Sequence, residues 1–186
     1  PRGPFSLRIS SRLAGDATRS FASGPLVAAL AAGGIGRAWQ QPDGVVQLRA
    51  PDEAGIDELR FVLALEDDHS EFLERFREDP LLRLALPRLR GYRPLRLSTV
   101  TQALLRAVCG QLIQASRARA IERNVIRAAT PQEPGTRFHS PPTPASFAAF
   151  SPAIIWGKPA SPKSPTAASL WRTDGSCRRF WILDFR

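Results

Sequence analysis

Residues 98–129 read STVTQALLRAVCGQLIQASRARAIERNVIRAA, and their periodicity decides the fold. Thr99 and Gln102 fit a capping box, in which a hydroxyl and an amide satisfy free backbone N–H groups at a helix start. Val100, Leu104, Leu105, Val108 and Leu112 follow at helical spacing. They predict an apolar stripe, with Arg106 pointing away from it. A second helix follows almost at once. Its predicted buried row is Ala118, Ile121, Val125 and Ala129, while Arg117, Arg119, Arg123 and Arg127 fall largely elsewhere on the circumference. Two short-linked helices, apolar toward each other and basic outward, would make a hairpin suited to a phosphate backbone. An ordinary Arg-rich helical pair fits the same spacing.

The charge around this stretch supports the first alternative. Over 186 residues Lys+Arg is 26 and Asp+Glu 17, a net charge of +9. Residues 80–130 hold ten Arg against the single Glu122, a local charge equal to that whole excess. Coding bias can favour Arg over Lys, which occurs only at Lys158 and Lys163, but it does not remove acids. Such a concentration is expected of a surface that faces phosphate.

Upstream, residues 68–90 also read as helical. Ser70 is placed to cap a helix whose Phe72, Leu73 and Phe76 share a face. Asp79-Pro80 reads as a cap followed by a first-turn proline, with Leu81, Leu82, Ala85, Leu86 and Leu89 as its apolar stripe and Gly91 as its stop. Residues 4–65 read as a mixed α/β unit. Phe5, Leu7 and Ile9 alternate with polar residues, the period of a strand. LVAALAAGG after Gly24-Pro25 predicts a short helix, and RAWQ and VVQLR, either side of Pro42-Asp43-Gly44, predict a hairpin. FVLAL at 61–65 fits a strand or a helix. Downstream, residues 131–165 hold nine of the 17 Pro, and only a short helix near Ser146, Phe147 and Phe150 is predicted. From Ile154 neither period persists, and Pro159, Pro162 and Pro165 exclude a regular helix there.

Several classes fall away. No run of about 18 apolar residues occurs, so no transmembrane helix is predicted, and PRGPFSLRIS lacks an apolar signal core. The absence of Met points to a natural start upstream and to a piece of a longer chain. Cys109 and Cys177 form no CxxC pair, and Cys109 reads as a small buried hydrophobe. His69 and His139 lack metal-site spacing, and Gly33, Gly34 and Gly36 make no dinucleotide loop. No metal or cofactor is expected. The cysteine usage suits a reducing, cytoplasmic compartment.

Residues 68–153 resemble the helix-hairpin-helix DNA glycosylases, in particular the bacterial DNA-3-methyladenine glycosylase II family that repairs alkylated bases. The matching features are Gly110-Gln111-Leu112 at the end of one helix, the Ala- and Arg-rich run from Ala118 to Val125, and the Phe–Pro-Thr-Pro segment from Phe138 through Pro144. The N-terminal α/β piece is also what this family carries before its helical domain. The resemblance implies that a damaged nucleotide is turned out of the duplex and that Leu112, after Gln111, fills the gap as a wedge. The apolar spacing alone equally makes Leu112 the last residue of a core stripe. In the family a carboxylate stabilises positive charge on the sugar, and its Asp follows a Gly-rich hairpin that holds a DNA phosphate. No GxG hairpin occurs after residue 130, and the segments around Asp174 and Asp184 are unlike the catalytic stretch, so no catalytic residue is assigned. The abrupt change near residue 154 fits an altered reading frame or gene end.

The sequence therefore predicts an α+β chain. A small N-terminal α/β domain with a mixed sheet (1–66) precedes an incomplete all-α helical domain (67–153) and an irregular tail (154–186). Its expected partner is double-stranded DNA carrying alkylated bases, bound by a cytoplasmic, nucleoid-associated monomer with no membrane contact. The expected contacts are Arg106, Gln111, Leu112, Arg117 and Arg119. The expected activity is base-excision repair by ancestry, with little or no excision by this stretch. A non-catalytic module of helix-turn-helix type, binding duplex selectively as a dimer, is the alternative.

Overall fold

The computed structural model describes residues 1–21, 24–111 and 114–149, all within a unit spanning residues 1–150. The fold is α+β. Helix α1 (Leu7–Ser11) precedes strands β1 (Arg19–Phe21), β2 (Leu26–Ala29), β3 (Ile35–Gln40) and β4 (Val46–Arg49). Helices α2 (Glu53–Val62), α3 (Ser70–Arg75), α4 (Leu86–Leu89), α5 (Val100–Cys109), α6 (Ala115–Ala129) and α7 (Pro144–Ala148) follow. The expected irregular tail lies outside the described residues.

The four strands pair in chain order, each antiparallel to the next. The sheet is therefore antiparallel throughout rather than mixed. Its connections are too short for the crossover of a dozen or more residues that parallel pairing needs. The Pro-Asp-Gly hairpin forms as read, with Gln40 opposite Val46 and Gly44 at φ 88°. LVAALAAGG is corrected from helix to strand. Leu26–Ala29 pairs on both sides, and Leu30 N–H donates to Gly34 O at 3.0 Å across a turn in which Gly33 and Gly34 have positive φ. Two neighbouring strands outweigh the helix propensity of its alanines.

The alternation at Phe5–Ile9 is corrected in the opposite sense. Ser6 Oγ accepts from Ile9 N–H and opens α1, burying Leu7, Ser10 and Ser11. Ser10 Oγ accepts from Arg93 N–H at 2.9 Å, so both faces of the segment are used. FVLAL is helical to Val62, then turns through Ala64, whose φ of 53° is left-handed. Gly91 stops the preceding segment as expected, at φ 83°. A Cβ there would meet Ser6 N at 2.9 Å, and Gly91 O accepts from that same N–H.

Between Asp79 and Leu89 regularity is weaker than the stripe implies. Asp79 Oδ1 accepts from Leu81 and Leu82 N–H, but only Leu86–Leu89 is α-helical, and Leu81, Leu84 and Leu89 are exposed. Ser70 opens α3 but is not its cap. Asp68 Oδ1 accepts the Ser70 N–H at 2.9 Å instead.

The core lies under the sheet, where Leu7, Ala14, Leu26, Ala38, Leu63 and Leu65 cluster against Phe5, Phe21, Val46, Leu48 and Leu95. Each large side chain buried there contributes about 1.5–3 kcal/mol. Arg93 is fully buried. Its Nη1 donates to Ala64 O at 2.6 Å, and its Nη2 to Pro4 O at 3.0 Å and to Arg2 O. One guanidinium thus ties the N-terminal segment to the end of α2. Among the described residues no helix is long and apolar enough to cross a membrane.

Candidate nucleic-acid interface

Helices α5 and α6 form the hairpin read from the sequence. Thr99 Oγ1 accepts from Gln102 N–H at 3.1 Å, but the expected capping box is only half made, because the Gln102 side chain turns to Thr18; Gly110 ends α5. The faces differ from the expected ones. On α5 the buried residue is Gln102, whose Nε2 donates to Thr18 Oγ1 at 3.2 Å. Val100, Leu104 and Val108 are exposed by 77%, 61% and 52%. On α6 the buried row is Ala118, Glu122 and Ile126, one residue round from the prediction, and Ile121, Val125 and Ala129 are half-buried.

Glu122 explains the rotation. Its side chain is 3% exposed, and both oxygens accept from Arg106 Nε, at 2.9 and 3.2 Å. Arg106 Nη2 also donates to Asp16 Oδ2 at 2.7 Å. Asp16 Oδ1 takes Thr18 N–H, Thr18 Oγ1–H and Arg19 N–H, and Arg19 Nε lies 3.6 Å from Asp16 Oδ2. Four alternating charges, Arg19–Asp16–Arg106–Glu122, thus cross from the loop before β1 to the helical hairpin. Burial lowers the pKa of Arg19, opposed by Asp16. At Arg106 burial acts the same way, but the hydrogen bonds and charges of Glu122 and Asp16 outweigh it and raise the pKa. Both groups stay cationic, as guanidinium does in proteins.

Of the ten arginines of residues 80–130, Arg83, Arg88 and Arg90 are exposed, and the other seven fall into two groups. Arg93 is buried on carbonyls, Arg96 Nη2 donates to both oxygens of Asp67 with the guanidinium over Phe61, and Arg106 is held by two carboxylates. These three are held by protein acceptors, Arg93 fully buried and Arg96 and Arg106 part-exposed. Arg117, Arg119, Arg123 and Arg127 on α6 have no ion pair or side-chain hydrogen bond among the described residues. Of these, Arg123 is half-buried and the rest are exposed. Gln111 is exposed at the hairpin turn, and Leu112 lies outside the described residues. A cavity of about 220 Å³ opens beside the turn, lined by Gly110 and Ala115, by Asp16, Arg106 and Glu122, and by Arg119 and Arg123. Arg123 was not among the expected contacts. Its i, i+4 spacing from Arg119 was the available signal.

No protein-family model matches the chain, and no curated protein does. Solved structures do match. MBOgg1 in complex with a low-affinity DNA ligand superposes with a TM-score of 0.65 at 15% identity, over 81% of this chain and 53% of that one. The 8-oxoguanine glycosylase/lyase of Clostridium acetobutylicum, in complex with double-stranded DNA, gives 0.64 at 16% over 82% and 53%. The 3-methyladenine DNA glycosylase of Archaeoglobus fulgidus gives 0.64 at 16% over 83% and 62%. The fold is shared with DNA glycosylases. The chain spans between one half and two thirds of the length of these neighbours.

Proposed function

We propose that this chain is the duplex-binding part of a base-excision DNA glycosylase for alkylated bases. On this reading residues 1–66 and 67–153 are its α/β and helical parts. The observation that carries the reading is α6. A glycosylase-like fold presents Arg117, Arg119, Arg123 and Arg127 without partners among the described residues, next to a turn bearing Gln111. A surface that keeps several guanidinium groups free of acids attracts phosphate, and phosphate contacts supply most of the affinity for undamaged duplex. Leu112 is the proposed wedge and Gln111 its neighbour at the lesion. On this reading Arg106 supports the surface rather than touching a phosphate, since its Nε and Nη2 are engaged by Glu122 and Asp16.

In the resembled family catalysis needs a carboxylate at the sugar; residues 131–149 hold only Glu133, and Asp174 and Asp184 stand in sequence unlike the family's catalytic stretch. Glu133 accepts from Gly34 N–H and Ser140 Oγ–H and is occupied structurally. The chain is therefore proposed to bind duplex DNA as a monomer in the cytoplasm, at the nucleoid, without excising the base. A glycosylase assay on alkylated duplex, beside a binding assay on the same duplex, tests this. Binding without release of free base supports the reading. Release of methylated base by this chain overturns the inactive assignment, and sequence-selective dimeric binding to undamaged duplex favours a transcriptional module instead.

A further inference from the structure

The cavity beside the hairpin turn has an unequal balance of donors and acceptors. Its two carboxylates are already ion-paired. Both Glu122 oxygens take Arg106 Nε, Asp16 Oδ1 takes three donors, and Asp16 Oδ2 takes Arg106 Nη2. At its edge Arg119 and Arg123, one helical turn apart, have no side-chain partner among the described residues. Guanidinium donates only. The site therefore offers free donors and few free acceptors, and it suits a ligand that is anionic and accepts hydrogen bonds. The charges agree. Four guanidinium groups, with Arg19 counted behind Asp16, surround two carboxylates and leave two positive charges in excess. About 220 Å³ admits one tetrahedral oxyanion with waters, each of which occupies about 30 Å³ in the liquid.

We propose that this cavity holds one internal phosphate of a DNA strand, gripped jointly by Arg119 and Arg123. Arg106 and Arg19 together neutralise the two carboxylates that would otherwise repel the phosphate. Paired guanidinium groups suit this task, since each can donate two parallel bonds to phosphate oxygens. The proposal rests on the duplex-binding reading but adds a specific claim, that two arginines serve one phosphate.

The test has two arms. In the first, inorganic phosphate is titrated into the intact chain while arginine Nε–H signals are followed by NMR. Arg119 and Arg123 are expected to shift together and Arg117 and Arg127 not to. In the second, the affinity for a short duplex with 5′-hydroxyl ends is measured against salt for R119Q, R123Q and the double variant. Two arginines on one phosphate act as a unit, so each single change and the double should all lower the log–log slope by about 0.9. Singles of about 0.9 that add to about 1.8 in the double mean two separate phosphates and overturn the proposal. So does an effect seen only with 5′-phosphorylated ends, which places a terminal phosphate there. If the wild-type chain binds no duplex, the DNA reading fails and the first arm alone decides the cavity. Uniform or absent shifts in that arm overturn the cavity assignment even where duplex binding stands. Arg119 and Arg123 have no side-chain partners to lose among the described residues, so unchanged melting curves are expected for all three variants.

Discussion

Asp16 Oδ2 and Arg106 Nη2 lie 2.7 Å apart and join positions 90 residues distant in the chain. The bond fixes the helical hairpin to the loop before β1, and Glu122 completes it from the second helix of the hairpin. A side chain that reads as a surface cation is thus a bolt between the sheet and the hairpin. The four arginines of α6 have no such partner among the described residues.

Replacing Glu122 with Gln keeps the shape but removes a charge that is 3% exposed. Breaking a buried pair costs about 3–5 kcal/mol, and the part-exposed Arg106 reduces that, so a loss of about 2–3 kcal/mol is expected. Urea denaturation at neutral pH measures it. The control is Asp57→Asn, which breaks the exposed pair with Arg60 and should cost under about 0.5 kcal/mol. Equal losses would show that the buried network does not hold the hairpin in place.

Cys109 reports the same network by reactivity. Burial, and then the nearby Glu122 charge, push its thiol pKa up. The thiolate is the reacting form, so near pH 8 Cys109 should alkylate more slowly than in the denatured chain. The sign follows from the raised pKa. Folding favours the protonated thiol, so the protection is fullest below the unfolded pKa and fades as pH rises through the folded one. Glu122→Gln should speed the reaction. Peptide-resolved mass spectrometry separates Cys109 from Cys177, and a rate unchanged by denaturation would contradict this environment.

Much of the architecture was legible in local sequence, and the misreadings share one cause. Thr99 and the Pro42-Asp43-Gly44 turn act within a few residues, and both do what their neighbours imply. The strand at Leu26–Ala29 depends on partners on either side, with β3 pairing six to twelve residues onward, so its alanines mislead. The α6 face was read one residue out because a Glu inside an Arg-rich helix reads as solvent-facing. Its burial depends on Arg106, 16 residues away, and on Asp16. The same long-range pairing hid which arginines were free. Arg93 gives no local sign that it anchors Arg2 and Pro4.

The apolar stripe of α5 makes a prediction of its own. Leu104 is 61% exposed, so Leu104→Glu should change stability by no more than about 0.5 kcal/mol and should lessen self-association at high concentration. Ile126, fully buried on α6, behaves oppositely. Truncation to Ala should cost about 2–5 kcal/mol. Equilibrium denaturation and light scattering measure the pair. A large loss from Leu104→Glu would mean that this face is covered in solution.

The most direct measurement for the whole account is duplex affinity between about 50 and 200 mM salt. Arg119 and Arg123 sharing one phosphate, with one each for Arg117 and Arg127, gives three phosphates and a log–log slope of about −2.7. Arg117→Gln should reduce the slope by about 0.9. In a variant that remains folded, Arg106→Gln should reduce it far less. A flat salt response, or a slope that depends on Arg106 and not on the α6 arginines, would contradict the account.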